Sequence, residues 1–193
     1  MQLRHVIGAE AATWISDLTF QEATTFGPLV FAAYAHLRFI PDPSRPGQQE
    51  GQLEVPDDHL SDLDQARRVL DHLAQHTATA DHCYFCIWDG YSYDRLPVGP
   101  GPHVMVDLPH RSYLLMEGPL GALRTWEKDL GRGGPLVPSA LVWPADRGWI
   151  FVSDVDPHWA GIGASREAIQ DLLDDPVLDI VAADPRDPQP YYY

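Results

Sequence analysis

Lysine is nearly absent from this chain, and basic residues of either kind are few. Lys128 is the only lysine, and 13 Lys and Arg residues stand against 28 Asp and Glu residues, for a formal net charge of −15. A field of that sign repels phosphate groups, which disfavours binding to nucleic acids and docking on anionic membranes. It attracts a basic protein partner, although many acidic proteins carry such a charge only as a solvated surface.

Cysteine and long apolar runs are also scarce. Cys83 and Cys86 are the only cysteines, too few for a disulfide framework. No apolar stretch approaches the ~18 residues that a membrane-spanning helix needs. The first residues also lack the apolar core and the small-residue cleavage site of a signal peptide. These absences predict a cytoplasmic protein.

Length and composition predict one folded domain followed by a short tail. A chain of 193 residues, of which 45% are hydrophobic, can bury a core of its own without a metal or a disulfide. We expect residues 1–183 to form this single domain. Residues 184–193 are rich in proline, which excludes regular helix and central strand, so this tail is expected to be extended or disordered.

Apolar periodicity and capping residues predict both helices and strands. Ser61 and Ser165 are good N-caps for amphipathic helices over 62–76 and 166–173. Further helices are predicted over 10–18 and 118–130, and strands over 31–39, 83–88, 104–108, 113–116, 140–143, 149–153 and 177–182. Because the strands cluster between helices, we predict an α+β fold: a mainly antiparallel sheet flanked by three or four helices.

The pair Cys83 and Cys86 forms a CxxC motif with three interpretations. Such a pair can ligate zinc, which needs two further ligands, or exchange disulfides, which usually requires a position at the start of a helix. The aromatic and β-branched flanks favour a strand instead. Residues three apart on a strand point to opposite faces, so two small core residues are the favoured interpretation.

A second candidate site follows the predicted strand 149–153. Asp154, Asp156 and His158 alternate onto one face if that strand continues, and two carboxylates with an imidazole could hold a divalent metal for catalysis. Sheet pairing could bring His110 and Arg111 close to them. The alternative is a turn, since Pro157 ends a strand and Asp before Pro is common turn chemistry.

A third candidate lies just before the predicted helix 166–173. Gly161 and Gly163 could leave backbone N–H groups free to hold a carboxylate or phosphate at the start of the helix, with Arg166 assisting. The signal is incomplete, because a third glycine at dinucleotide-binding spacing and a Walker A lysine are both missing. It predicts at most a small-anion site.

Exposed aromatic residues beside arginines are the remaining binding signal. Tyr91, Tyr93 and Arg95 lie in a polar stretch bounded by Gly and Pro, a composition typical of interface hot spots. Arg111, beside the predicted break between two strands, and Arg147, in a predicted hairpin turn, are also candidate binding residues. Arg147 could equally be a plain hairpin-turn residue.

Three segments of the chain resemble a known group of proteins. They are residues 83–91, with Ile-Trp-Asp-Gly-Tyr at the end, residues 108–115, with Arg-Ser-Tyr, and residues 143–156, with Trp-Pro-Ala-Asp-Arg-Gly-Trp. The order of these motifs resembles a group of uncharacterised bacterial proteins, mostly from high-GC actinomycete-type genomes. The resemblance implies a single domain of bacterial, cytoplasmic origin. It implies no activity and no site residue, because the group has none assigned.

No familiar catalytic signature occurs in the sequence, which also calls for no cofactor. The sequence therefore favours a non-enzymatic binding or regulatory domain, inhibitor-like or immunity-like, whose acidic surface steers a basic protein partner. The alternative is a metal-dependent enzyme or small-anion-binding protein that uses the second or third candidate site. The oligomeric state does not follow from the sequence.

Overall fold

Residues 3–56, 58–90, 103–124 and 139–193 are described in the computed structural model of this protein. Within these ranges there are three α-helices: α1 (Phe20–Thr24), α2 (Asp62–Leu73) and α3 (Arg166–Leu173). The same ranges contain nine β-strands: β1 (Arg4–His5), β2 (Ala33–Arg38), β3 (Cys83–Trp88), β4 (Met105–Leu108), β5 (Arg111–Gly118), β6 (Leu141–Pro144), β7 (Ile150–Val152), β8 (Trp159–Ala164) and β9 (Ile180–Ala183).

All nine strands belong to one sheet, and every described strand pair is antiparallel. The order is β1-β5-β3-β6-β7-β8-β2-β9, with β4 also paired to β5. The predicted α+β class with a mainly antiparallel sheet in one domain is thus confirmed. The sheet is larger than the sequence suggested, because β1 and β8 were not predicted.

Helix α2 begins at an N-cap residue that is followed directly by an apolar stripe. The Ser61 hydroxyl accepts a hydrogen bond from the Asp64 backbone N–H at 3.2 Å, which satisfies one of the free donors of the first turn. Val69, Leu70 and Leu73 form one buried stripe. The helix passes into a 3₁₀ turn over Ala74–His76, so the predicted helix over 62–76 and its cap are confirmed.

Helix α3 begins in the same way, with the Ser165 hydroxyl accepting from the Ala168 backbone N–H at 3.1 Å. Both helices lie on one face of the sheet. There the helix residues pack against buried strand residues such as Leu37, Phe85 and Phe151. This face holds the larger apolar core.

The N-terminal segment covers the opposite face of the sheet. Ile15 and Leu18 pack there against Tyr113, Leu115 and Trp143 in a second apolar cluster. The helix predicted over 10–18 is wrong, because this stretch forms only a 3₁₀ turn at Glu10–Ala12 followed by turns. Over 118–130, the described part forms a 3₁₀ helix at Leu120–Arg124, and residues 125–130 lie outside the described ranges.

Residues 184–193 contain no helix or strand, but they contact the domain through hydrogen bonds. The indole Nε1 of Trp159 donates to the Pro190 carbonyl at 3.0 Å. The hydroxyl of Tyr192 donates to the Pro41 carbonyl at 2.6 Å, and its ring meets His158 edge to face at 4.7 Å between centroids. The tail is therefore held near the segment that joins β7 to β8.

Candidate functional site

Several polar side chains gather at the end of the sheet where β3, β7 and β2 end and β5 and β8 begin. The register sets Trp88 opposite Tyr113 near the start of β5, and Arg38 opposite Trp159 at the start of β8. The segment between β7 and β8, residues 153–158, lies at this same end. It brings Asp154, Asp156 and His158 close to residues that are far away in sequence.

Arg111 is the centre of the first polar network. Its Nε and Nη2 donate to the two carboxylate oxygens of Asp154 at 3.2 and 2.8 Å, and Nη2 also donates to Asp156 at 3.0 Å. The guanidinium carbon lies 5.2 Å from the ring centroids of both Phe20 and Trp88. The hydrogen bonds to Asp154 raise the pKa of Arg111, so its charge is fixed. The expected approach of Arg111 to Asp154 and Asp156 is confirmed.

His158 belongs to a different network. Its Nε2 lies 3.0 Å from Oδ1 of Asp42, and Oδ2 of Asp42 accepts from Arg38 Nη1 at 3.0 Å. Arg38 also pairs with Asp179. Burial alone would raise the pKa of Asp42, but the bonds from His158 and Arg38 outweigh it and lower this pKa. His158 therefore bonds to a different partner from Asp154, which pairs with Arg111.

The three residues proposed as metal ligands are divided between these two networks. Asp154 and Asp156 share the guanidinium of Arg111, while His158 bonds to Asp42. In the ranges given above, no group of three or more His, Cys, Asp and Glu side chains is arranged to hold a metal ion. What this end of the sheet holds is a set of ion pairs that tie distant segments together.

A cavity of about 400 Å³ opens between α2 and the 153–158 segment. Its wall is mostly apolar, with side chains contributed by α2, β6, β7, the 3₁₀ helix Leu120–Arg124 and the residue after β2. The main apolar contributors are Phe39, Ala66, Leu70, Leu123, Val142 and Phe151. Pockets that bind small organic ligands commonly have volumes of about 300–1,000 Å³ and apolar walls with a few polar groups. This cavity falls in that class.

The cavity also has charged groups at its solvent-exposed side. Glu50 and Asp62 line it, and both residues are exposed. Partial desolvation of the Asp62 carboxyl and the charge of Glu50 raise the pKa of this carboxyl. Arg67 also lines the cavity, but its guanidinium pairs with Asp64 at 3.5 Å and donates to the Leu123 carbonyl at 3.1 Å. The negative charge of Glu50 and Asp62 is thus not balanced by a guanidinium aimed at them among the described contacts.

One buried hydroxyl faces the same space. Ser139 lines the cavity and is only 8% exposed. Its Oγ is buried and has no hydrogen-bond partner among the residues that the structure describes. A buried polar group without a partner is uncommon in folded proteins and marks a place where a ligand or water can bond.

The remaining predicted binding residues do not meet at this site. Tyr91, Tyr93 and Arg95 lie outside the described residues. Arg147 sits in the β6–β7 turn with a left-handed φ of 56°, at the opposite end of the sheet from Asp154, and its guanidinium lies 5.4 Å from the Trp14 ring centroid. Its interpretation as a hairpin-turn residue is therefore the better one.

The residues of the predicted small-anion site are arranged differently from the loop that the sequence suggested. Gly161 and Gly163 lie inside β8 and pair with both β2 and β7, rather than preceding a helix as a loop. A Cβ on Gly161 would lie 1.9 Å from the Thr25 carbonyl oxygen, so glycine serves there to let another segment approach the strand. Arg166 is exposed in the first turn of α3, beyond the end of that strand.

The two cysteines point to opposite faces of β3. Cys83 belongs to the cluster beneath the helices and Cys86 to the cluster beneath the N-terminal segment, and both are free and buried. Burial raises the pKa of Cys83 to about 12, and burial raises the pKa of Cys86 as well. The interpretation of the CxxC as two small core residues agrees with this geometry.

Sequence reasoning missed the cavity and its polar residues. Glu50, Asp62 and Ser139 are not among the candidate site residues that the sequence suggested. The visible signal is the density of acidic residues over 50–64, beside a helix whose apolar stripe contains the small residue Ala66. A small residue on a buried stripe leaves room against the sheet, but its effect depends on what packs opposite.

No protein-family model, curated protein or solved structure matches this chain. Within the described ranges, no helix has the length and apolar character needed to cross a membrane. The resemblance to the actinomycete-type group stays a prediction. The function of this chain therefore has to follow from the chemistry of its own residues.

Proposed function

We propose that this chain is a non-enzymatic binding domain that captures a basic protein partner, as inhibitor or immunity proteins do. The proposal is carried by the way charge is distributed. One stretch, which we name the acidic segment, carries five exposed carboxylates within 15 residues: Glu50, Glu54, Asp58, Asp62 and Asp64. This stretch adjoins the mouth of the apolar cavity, because Glu50 and Asp62 line it.

The negative charge of this segment is opposed by few free arginines, because six of the ten arginines in the described ranges are committed to intramolecular ion pairs. The pairs described are those of Arg4, Arg38, Arg67, Arg68, Arg111 and Arg124 with nearby carboxylates. Each such arginine is locally neutralised and cannot build a positive patch. Exposed carboxylates outside these pairs, such as Glu50, Glu54 and Asp58, can steer a cationic protein toward the acidic segment.

Affinity capture with charge-matched variants tests this proposal. Wild-type chain is immobilised at low salt beside the variant Glu50→Gln/Glu54→Gln/Asp58→Asn/Asp62→Asn. The control variant removes the same number and kind of charges elsewhere and carries the following changes: Glu10→Gln, Asp17→Asn, Asp81→Asn and Glu167→Gln. All four control positions are exposed. Each variant loses two Glu and two Asp carboxylates, so both variants have the same net charge.

The expected result is a basic protein retained by the wild type and by the control variant. Its affinity should fall at least tenfold, about 1.4 kcal/mol, in the acidic-segment variant, and retention should weaken as salt rises. Two results would contradict the proposal. One is that no salt-sensitive partner is retained, and the other is that both variants lose binding to the same extent.

A further inference from the structure

We infer that the cavity beneath α2 is a binding site for an organic cation with an apolar body, such as a primary amine or a guanidine. The inference deepens the proposed function and rests on it for the biological source of the cation. That source is either the lysine or arginine side chain of a basic partner or a free small amine. The shared chemistry is a positive group on a hydrocarbon stem.

The shape of the cavity favours an apolar stem over a bare ion. Ala66 and Leu70 of α2 face Val142 and Phe151 of the sheet across about 400 Å³ of space. A hydrated inorganic cation would gain nothing from such walls, whereas a hydrocarbon stem loses its contact with water on entering. The volume is sufficient for an arylalkyl amine or an arginine side chain.

The charges at the mouth favour a cationic head over an anionic or a neutral one. Asp154 and Asp156 also line the cavity, but Arg111 bonds to both of them. Glu50 and Asp62 are left as the acidic groups without such a partner among the described ion pairs. Two neighbouring carboxylates repel each other, and a cation between them relieves that repulsion.

A second, independent observation points to a ligand in the same space. The Ser139 hydroxyl is buried, lines the cavity and has no hydrogen-bond partner among the described residues. A hydroxyl can both donate and accept, so it can bond an amine or guanidinium N–H group directly or through a water. The same cavity is thus lined by two carboxylates, an apolar wall and a buried hydroxyl without a described partner.

Titration by NMR chemical shift and by calorimetry tests this inference on the full chain. The first probe is 2-phenylethylamine, which is protonated at pH 7, and its neutral counterpart is 2-phenylethanol. The second probe is N-acetyl-arginine methylamide, a capped amino acid that stands for a partner's side chain. The expected result is saturable binding of a cationic probe, at least tenfold tighter than that of the alcohol, with shifts at Ala66 and Ser139.

Matched variants separate the cavity from the general charge of the protein. Glu50→Gln/Asp62→Asn should weaken amine binding at least tenfold, whereas Glu54→Gln/Asp58→Asn, which removes one Glu and one Asp that do not line the cavity, should leave it unchanged. Ala66→Leu fills the space without altering charge and should also abolish binding. Unfolding curves of each variant check that the fold is retained.

The outcomes distinguish the sources and the two proposals. Binding of both cationic probes assigns the site to side chains of a partner, and binding of 2-phenylethylamine alone assigns it to a free amine. The inference is overturned if no cationic probe saturates, if the alcohol binds equally well, or if both double variants weaken binding alike. A basic partner that still binds Ala66→Leu with full affinity would exclude a partner's side chain as the occupant of the cavity, while leaving the proposed function intact.

Discussion

Replacing Arg111 by methionine measures how strongly this side chain ties four parts of the chain together. Arg111 at the start of β5 holds Asp154 after β7 and stacks against Phe20 of α1 and Trp88 of β3. Methionine keeps much of the apolar stem but removes the guanidinium. It thereby leaves the Asp154 carboxylate, whose side chain is 2% exposed, without its bidentate partner.

The expected loss follows from the burial of this pair. Removing one partner of a buried ion pair costs about 3–5 kcal/mol, because the other charge stays uncompensated in a site shielded from water. Two cation–π contacts contribute a further ~0.5–1 kcal/mol each where they are partly exposed. We expect the free energy of unfolding of Arg111→Met to fall by about 4 kcal/mol, a large share of the ~5–15 kcal/mol that stabilises a typical domain.

The chain supplies a matched control in Arg124. Its Nη2 lies 2.7 Å from both carboxylate oxygens of Asp71, yet the two side chains are 66% and 55% exposed. Solvent-exposed pairs contribute only about 0–1 kcal/mol. Urea unfolding at pH 7, followed by tryptophan fluorescence, should therefore separate Arg111→Met from Arg124→Met by at least about 2 kcal/mol at equal slope.

Two results would refute this reasoning. The first is an equal loss of stability in Arg111→Met and Arg124→Met, which would mean that burial of the pair has no influence. The second concerns Arg111→Met/Asp154→Leu, in which the stranded carboxylate is removed as well. If that double variant is no more stable than Arg111→Met alone, the cost does not arise from an uncompensated charge.

Three further predictions follow from single sites. Gly161→Ala places a Cβ 1.9 Å from a backbone carbonyl oxygen of the N-terminal segment and should cost at least about 1–3 kcal/mol. A Cβ at Gly51 would have nothing within 4 Å, so the stability of Gly51→Ala should stay within about 0.5 kcal/mol of wild type. Thermal unfolding of both variants compares the two losses. Because burial raises the pKa of Cys83 to about 12 and also raises that of Cys86, native protein at pH 8 should not react with Ellman's reagent, whereas unfolded protein should release two equivalents. Burial lowers the pKa of His36 from 6.5 to about 4, so the unfolded chain binds more protons in that window. The free energy of unfolding should fall as the pH falls from about 6.5 to 4, by up to about 1.4 kcal/mol per pH unit. The urea midpoint should therefore change less with pH in His36→Phe than in the wild type over this range.

Local signals were sufficient for the elements whose stability is local. The caps at Ser61 and Ser165 and the apolar stripes that follow them are properties of a few neighbouring residues, so α2 and α3 could be predicted with their first turns. Strand β3 was predicted with its bounds at Cys83 and Trp88, because a run of aromatic and β-branched residues between polar turns has little alternative. These predictions needed no knowledge of the rest of the chain.

Strand β8 could not be predicted, because the reason for its composition is tertiary. Gly161 and Gly163 suggest a loop when they are considered alone, since glycine weakens an isolated strand. In the structure a Cβ at either position would meet the N-terminal segment, at Thr25 for Gly161 and at Phe31 for Gly163. Glycine stands there because another part of the chain packs closely across the strand, and no local pattern reveals that.

The candidate site was also predicted only in part. The approach of Arg111 to Asp154 was predicted from strand ends, because antiparallel pairing places the start of one strand beside the end of another. The cavity was not predicted, since it depends on how far α2 stands from the sheet at Ala66 and on what faces it there. Charge density over 50–64 was visible in the sequence, but it could not be connected with an apolar space.

The acidic segment and the cavity should control different rate constants of the same binding event. Glu54 and Asp58 attract the basic partner over a long range. Replacing them should lower the association rate constant and make that rate constant less sensitive to salt. Glu50 and Asp62 contact the bound cation directly, so their replacement should act mainly on the dissociation rate constant. Surface plasmon resonance with the captured basic partner compares Glu54→Gln/Asp58→Asn with Glu50→Gln/Asp62→Asn at two salt concentrations. If both double variants change only the association rate constant, the carboxylates at the cavity mouth do not touch the partner, and its cation binds elsewhere on the protein.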